Sequence, residues 1–171
     1  METIRSFEDM VIHLAQRGER KRVAIVWAAD QYSQESVIRA LEVGFIDAIF
    51  VGCRDEVESN KRIMRYQDHI TFIDASDRDT AAKISVQMVR EGKADILMKG
   101  LINTDNLLHV VLDKQTGMLP KGNVLTHIPL HVCLNMRNYF SLLIQPSFPI
   151  QHKNNESNKY GIWFMFVTLW E

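Results

Sequence analysis

The sequence predicts an α/β protein with a three-layer, mainly parallel, doubly wound sheet. Short apolar runs rich in Val and Ile alternate with amphipathic segments over the first three-quarters of the chain. These runs are continuous rather than alternating, as is typical of strands that are buried on both faces. The connections between segments are short, and glycine often ends a segment. With right-handed crossovers, such a series places helices on both faces of one sheet.

Each strand is predicted from a run of apolar residues that stops at a polar or glycine residue. The fourth run stops at Lys99-Gly100 and the second at Gly52. The predicted strands are Arg22–Trp27, Ala48–Val51, Ile70–Ile73, Ala94–Met98 and Val124–Ile128.

Each helix is predicted from helical periodicity between a capping residue and a stop signal. Ser6-Phe-Glu-Asp9 approximates a capping box, and a helix capped by Ser33 ends at Gly44. Thr104 is expected to cap the helix that follows the fourth strand. The remaining helices lie between these points, so that the predicted set is 6–16, 33–43, 55–66, 77–90 and 104–112.

Composition limits the classes of function. The chain has 171 residues and a net charge of −1, which fits one α/β domain and gives no electrostatic case for binding nucleic acid. Cys53 and Cys133 form no CxxC pair, which favours a reducing compartment and disfavours a zinc site. The first residues lack the pattern of a secretion signal, and no apolar run is long enough to cross a membrane. We therefore expect a cytoplasmic protein that binds neither metal nor membrane.

The segment from Ala94 to Thr104 predicts an anion site. Ligands of open α/β sheets bind beyond the carboxyl ends of the strands, where Lys99 lies. Gly100 allows the backbone to approach closely, and Thr104 offers a hydroxyl at a helix N-terminus. The alternative is a lysine that reaches solvent from a strand end beside an ordinary N-cap.

The first loop after a strand disfavours nucleotide chemistry. Ala28–Ser33 contains no glycine, so neither a GxGxxG turn nor a GxxxxGK[ST] loop is present. Asp30 resembles the acceptor carboxylate of a receiver-type phosphorylation domain. An aspartate in this position is more often a turn or N-cap residue.

Several motifs occur in order: Val23-Ala-Ile-Val-Trp-Ala-Ala-Asp30, Phe50-Val-Gly52, Ala94-Asp-Ile-Leu-Met-Lys-Gly100, Thr104, Gly117-Met-Leu-Pro-Lys-Gly122 and Leu125-Thr-His-Ile128. Together they resemble the phosphate acetyl/butyryltransferases, and the Met-Lys-Gly form is most similar to the phosphate butyryltransferase branch. The resemblance covers about residues 1–128. It implies a fold like the first part of the isocitrate/isopropylmalate dehydrogenases. It also implies acyl transfer between coenzyme A and inorganic phosphate in a cleft between domains.

The resemblance also implies a site. Phosphate needs cationic and amide donors beside the thioester carbonyl, which Lys99, Gly100 and Thr104 would supply in part. Thr126 is a further candidate for substrate binding, and His127 is the candidate catalytic residue, as a donor to phosphate or to the developing oxyanion. The alternative for His127 is a structural role in its loop. Asp30 is included among the candidate substrate-binding residues. We expect no bound cofactor, acyl-CoA and phosphate as substrates, and a homo-oligomer in intact members of the family.

Residues 129–171 depart from the family. They lose the alternation of strands and helices and gather Trp163, Trp170 and four of the eight phenylalanines. If the last base of each codon is read with the first two of the next, Met136–His152 can encode a family-like string that begins Glu-Lys-Leu-Leu-Phe-Val-Thr-Asp-Pro. We therefore predict one α/β domain at 1–128, followed by a frame-shifted tail that forms no domain. Because the family's coenzyme A site comes largely from later residues, we expect a truncated form with little or no activity.

Two other classes of function stay open. One is a non-catalytic, receiver-like binding module that uses Asp30 as the phosphate acceptor, with Lys99 as the late-strand lysine. The other is an inactive fragment that pairs with a full-length partner through its unfinished sheet edge.

Overall fold

The computed structural model describes residues 7–119 and three short strands at 130–132, 140–142 and 165–166. The helices are α1 (Phe7–Gln16), α2 (Gln31–Val43), α3 (Arg54–Glu58), α4 (Arg78–Arg90) and α5 (Thr104–Val111), with a 3-10 helix at Ile63–His69 between α3 and α4. The strands are β1 (Lys21–Val26), β2 (Ile46–Val51), β3 (Ile70–Ile73), β4 (Ile96–Lys99), β5 (Leu130–Val132), β6 (Phe140–Leu142) and β7 (Met165–Phe166).

The main sheet has the strand order β3-β2-β1-β4-β7. The first four of these strands are parallel, and β7 adds two residues antiparallel to β4. β5 and β6 form a separate antiparallel pair. The predicted α/β class and parallel sheet are therefore confirmed. The predicted strand Val124–Ile128 lies outside the described residues.

The sheet lies between two helical layers. The fully buried Ala24 and Val26 of β1 face the layer that contains α4 and α5. Val23 and Ile25 face α2 and the 3-10 helix on the other side. Burying a side chain such as that of Ile25 contributes about 1.5–3 kcal/mol relative to leaving it exposed. Because alternate residues of β1 serve opposite layers, this strand connects both cores.

The predicted helix 55–66 is wrong in its extent, because a turn divides it into α3 and the 3-10 helix. The Ser59 hydroxyl donates to the carbonyl of Glu56 at 2.7 Å. The Asn60 side chain accepts from the amide of Arg62 at 3.1 Å and donates to Gln34 Oε1 at 2.8 Å. Short polar side chains that bond to nearby backbone compete with helix continuation.

Two predicted caps are corrected. α2 begins at Gln31 and is capped by Asp30 rather than by Ser33, which lies in its first turn. α5 is capped by Asn103, whose side chain accepts from the amide of Asp105 at 2.8 Å, so Thr104 is the first helical residue rather than the cap. In both cases an Asp or Asn in extended conformation precedes the predicted residue and reaches the free amides first. Asp77, predicted as the first residue of the helix 77–90, is the N-cap of α4, and the terminating Gly44 is confirmed. Ser6 lies outside the described residues.

Candidate functional site

The four parallel strands end at the same level. Val26 is paired with Val51 of β2 and with Lys99 of β4, and Val51 is paired with Ile73 of β3. The chain passes from β1 to β2 and β3 in one direction and then returns to β4 on the other side of β1. The helices of these two excursions lie on opposite faces. This reversal is the position at which open α/β sheets bind ligands, and the loops after β1 and β4 flank it.

Lys99 is the last residue of β4 and is half-buried, with its ammonium nitrogen 3.5 Å from the carbonyl oxygen of Gly100. The pairing of β4 with β1 continues past the strand. The amide of Gly100 donates to Val26 at 2.9 Å, and that of Leu101 donates to Trp27 at 2.8 Å. A Cβ at Gly100 would lie 2.4 Å from the Val26 oxygen. The glycine predicted from the sequence is thus required by the backbone of β1.

Asp30 closes the β1–α2 loop as the N-cap of α2. One carboxylate oxygen accepts from the Ser33 amide at 2.8 Å, and the other accepts from the Ser33 hydroxyl at 2.6 Å. The N-cap interpretation of Asp30 is therefore confirmed, and its role toward substrate stays a prediction. In the part of the chain that the structure describes, no group of three or more His, Cys, Asp or Glu side chains is arranged to hold a metal ion.

Trp27 was not identified as a site residue from the sequence. It lies one residue beyond β1 with a φ of 55°, in the left-handed region. This conformation costs a bulky residue about 1–3 kcal/mol, so the surrounding structure must hold it. Its indole lies against Gly52, where a Cβ would be 2.5 Å from Cε3. No feature of the sequence indicates a positive φ at Trp27, because this conformation occurs mostly at glycine and asparagine.

Gln34 is a second residue that the sequence analysis missed. Its buried side chain donates to the carbonyl of Ala28 at 2.9 Å and accepts from Asn60 at 2.8 Å, so it joins the β1–α2 loop to the turn after α3. A signal was present, since Gln34 precedes Val37, Ile38 and Leu41 by three, four and seven positions. That spacing places Gln34 on the buried stripe of α2.

Cys53 follows the end of β2, where it is buried and has a φ of 48°. Burial raises the pKa of its thiol to about 11, and the nearby carboxylates of Glu56 and Asp30 act in the same direction. Because the thiolate is the reactive form, Cys53 is a poor nucleophile at neutral pH.

The structure brings four of the six predicted site residues to one end of the sheet. Lys99, Gly100 and Thr104 lie within one short segment after β4, and Asp30 lies on the adjacent loop after β1. Thr104 is exposed at the first position of α5. Thr126 and His127 lie outside the described residues, so their expected proximity to Lys99 stays a prediction. Among the described helices, none is both long and apolar enough to cross a bilayer.

The fold and the position of the site define a class: open α/β proteins with a ligand crevice at the point of strand reversal. In overall fold, the chain is similar to a branched-chain phosphotransacylase from Enterococcus faecalis V583. The TM-score is 0.50 at 21% sequence identity, over 64% of this chain and 37% of that one. This likeness supports the fold.

Sequence comparison is more specific. Over 126 residues the chain is 35% identical to the phosphate butyryltransferase of Clostridium acetobutylicum. This alignment covers 73% of this chain and 41% of that protein. The phosphate butyryltransferase of Clostridium beijerinckii is 31% identical over 125 residues, covering 72% and 41%. The phosphate acetyltransferase of Rhizobium meliloti is 32% identical over 106 residues, covering 61% and 34%. No protein-family model matches the chain.

The resemblance to the phosphate acetyl/butyryltransferases that the motifs predict is thus confirmed. The chain spans 41% of the length of the two clostridial relatives.

Proposed function

We propose that this chain carries the phosphate-binding part of a phosphate acyltransferase that moves a short acyl group, such as butyryl, between coenzyme A and inorganic phosphate. The observation that carries the proposal is the position of Lys99. Its ammonium group lies at the end of β4, beside the strand reversal and next to the start of α5. The relatives, a phosphate butyryltransferase and a phosphate acetyltransferase, indicate the reaction.

In the forward reaction, a phosphate oxygen attacks the thioester carbonyl carbon. The new C–O bond forms, the C–S bond breaks, and acyl phosphate and the coenzyme A thiolate result. Lys99 would hold the phosphate by a charge-assisted contact, and the amides at the start of α5 and the Thr104 hydroxyl would bind further oxygens. His127 would donate a proton or hydrogen bond to phosphate or to the developing oxyanion. No resident cofactor or metal is needed for this chemistry.

The proposal also covers the cellular compartment, the small-molecule partners and the oligomeric state. Cys53 is a free, buried thiol, in keeping with a reducing compartment such as the cytoplasm. We propose acyl-CoA and phosphate as the small-molecule partners and a homo-oligomer as the state of the intact enzyme. The receiver-like alternative is not favoured, because both carboxylate oxygens of Asp30 are engaged by Ser33.

Replacement of Lys99 tests the proposal. We expect Lys99→Ala to weaken phosphate use or binding about ten- to hundredfold, since a charge-assisted hydrogen bond contributes about 1.5–3 kcal/mol. Stability should change by only about 0.5 kcal/mol, as for typical surface positions. Phosphate calorimetry and thermal unfolding measure these effects on one preparation of this chain. Thiol release from butyryl-coenzyme A in the presence of phosphate measures the loss of phosphate use in the frame-restored enzyme.

Lys93→Ala is the matched control. Lys93 is exposed and paired with Glu91 at 2.7 Å, and it lies three residues before β4, at the opposite end of that strand from Lys99. It should leave phosphate binding unchanged. If Lys99→Ala lowers the melting temperature sharply while phosphate binding holds, Lys99 is a structural residue and the site is assigned wrongly.

A further inference from the structure

From the position of its ring, we infer that Trp27 is the residue that contacts the acyl chain and sets the preferred chain length. This inference rests on the proposed function. Trp27 lies between the ends of β2 and β4: its indole lies against Gly52, and its carbonyl accepts from the amide of Leu101 at 2.8 Å. The backbone of Trp27 is therefore held at the centre of the carboxyl edge, next to the Lys99–Leu101 segment, and its indole lies on the side of β2, against the glycine that follows that strand.

The ring is fixed in place by its surroundings. The amide of Trp27 donates to Val51 at 3.0 Å, and its carbonyl also accepts from Ala29 at 2.9 Å. The indole packs against apolar residues of both cores, yet the residue is only half-buried. A left-handed conformation at a tryptophan persists only where its neighbours impose it. The result is a rigid apolar surface at the edge where ligands bind.

The chemistry of the reaction selects the group that meets this surface. The bond that forms joins a phosphate oxygen to the acyl carbonyl carbon, so the acyl chain begins two bonds from the bound phosphate oxygen. The nucleotide end of coenzyme A is separated from the thioester by the long pantetheine arm. With phosphate at Lys99, an apolar surface on the neighbouring strand end contacts the acyl chain rather than the nucleotide.

Three probes test this inference without requiring a coenzyme A site: inorganic phosphate, 2-oxopropylphosphonate and 2-oxopentylphosphonate. The two phosphonates are stable analogues of acetyl and butyryl phosphate in which a methylene replaces the bridging oxygen. Calorimetry on the full chain should show the butyryl analogue binding roughly tenfold more tightly than the acetyl analogue, since each additional buried methylene contributes about three- to fourfold.

In Trp27→Gly this preference should fall to about twofold or less, because glycine adopts the positive φ without strain and offers no ring. Trp27→Phe should keep most of the preference. The control is Tyr32→Ala, which removes a 78% exposed aromatic side chain from the first turn of α2 and should leave the preference intact.

A second measurement does not depend on the folding of a Trp27 variant. In a Trp163→Phe, Trp170→Phe protein, where Trp27 is the remaining tryptophan, the butyryl analogue should shift the emission to shorter wavelength more than phosphate does. Equal affinity for the two analogues in the unchanged chain, a preference that survives Trp27→Gly, or an emission that does not move at saturation overturns the inference. If phosphate and both analogues all fail to bind, the proposed phosphate site itself is wrong, and the inference falls with it.

Discussion

Gly100 lies where the backbone of β4 passes so close to that of β1 that no side chain fits. A Cβ there would be 2.4 Å from the Val26 oxygen and 2.6 Å from the Trp27 oxygen. Neither carbonyl is free to move, because each accepts a hydrogen bond from the Lys99–Leu101 segment. At the scale of the residue, this glycine positions Lys99 and the loop that leads to α5.

We therefore predict that Gly100→Ala destabilises the protein by about 2–3 kcal/mol, as expected for overpacking against fixed backbone. Gly92→Ala is the control, since nothing lies within 4 Å of its Cβ position and only the cost of its φ of 67° applies. That cost is about 1 kcal/mol. Urea denaturation of both variants gives the comparison. A smaller loss for Gly100→Ala than for Gly92→Ala would show that the β1–β4 junction is looser than described.

The buried amide of Gln34 has an effect at the same scale. Gln34→Leu leaves the carbonyl of Ala28 without its donor and the side-chain NH2 group of Asn60 without its acceptor. We expect a loss of about 1–3 kcal/mol in the free energy of unfolding, the cost of buried groups left unsatisfied. The exposed Gln87→Leu on α4 should cost no more than about 0.5 kcal/mol. Equal effects in denaturant melts would argue that water replaces the Gln34 amide.

At the scale of elements, β1 and β4 are joined at both ends. The far end carries a bidentate ion pair: Arg22 Nη2 donates to Asp95 Oδ1 at 2.8 Å, and Nε donates to Oδ2 at 3.1 Å. The backbone amide of Arg22 also donates to Asp95. The hydrogen bonds from Arg22 lower the pKa of the Asp95 carboxyl from its usual value. The strands are thus aligned by charge at one end and by close backbone packing at Gly100 at the other.

This ion pair predicts a dependence of stability on pH. Because the pKa of Asp95 is lower in the folded state than in the unfolded chain, its contribution is present above about pH 4 and is lost as the pH falls through the folded-state pKa. Asp95→Asn should therefore lower stability at neutral pH and reduce the loss of stability between neutral and acid pH. Asp77, with a pKa lowered to about 2, leaves part of the acid sensitivity in place.

The measurement is the free energy of unfolding at several pH values for the unchanged chain, Asp95→Asn and the exposed control Asp68→Asn. The control should keep the slope of the unchanged protein. Parallel curves for all three proteins would exclude a contribution of the Arg22–Asp95 pair to acid unfolding.

At the scale of the whole molecule, β1 connects both cores. It lies between β2 and β4, and Ala24, Ile25 and Val26 are fully buried, whereas α1 is mostly exposed, with Ile12 at 55%.

We expect the amides of β1 to exchange with solvent slowest, at the rate of global unfolding, and those of α1 to exchange fastest. Hydrogen-exchange mass spectrometry measures this order. Protection of α1 equal to that of β1 would mean that the helix belongs to the cooperative core.

That residues 129–171 are a frame-shifted tail stays a prediction, and it concerns the whole chain. If the tail is frame-shifted, the gene around codons 125–132 differs by a base insertion or deletion from that of related isolates. Restoring the frame should then raise the rate of thiol release from butyryl-coenzyme A. An uninterrupted frame that ends in this same tail in related isolates contradicts the hypothesis. Concentration-dependent light scattering tests the alternative in which the chain pairs through its sheet edge.

The sequence predicted the class of fold because its patterns reflect burial. Continuous apolar runs are typical of strands buried on both faces, and amphipathic segments are typical of helices buried on one face. It placed the described strands of the parallel sheet to within about two residues, the usual uncertainty of strand and helix ends. It also placed Lys99 at a strand end and, through its ordered motifs, identified the family it resembles. It misplaced the helix at 55–66 and two caps. The ends of a helix depend on which of several nearby polar side chains hydrogen-bonds to the backbone, and the sequence pattern does not distinguish them.

Only the tertiary structure decided the strand order and therefore which loops meet. The sequence of elements does not show that β4 returns beside β1, and that return is what places Trp27 next to the Lys99 segment. It also decided why Gly100 must be glycine and why Trp27 adopts a positive φ, since both follow from contacts between residues far apart in the chain. Local periodicity determines which residues are buried, whereas long-range backbone packing determines which of them share a site.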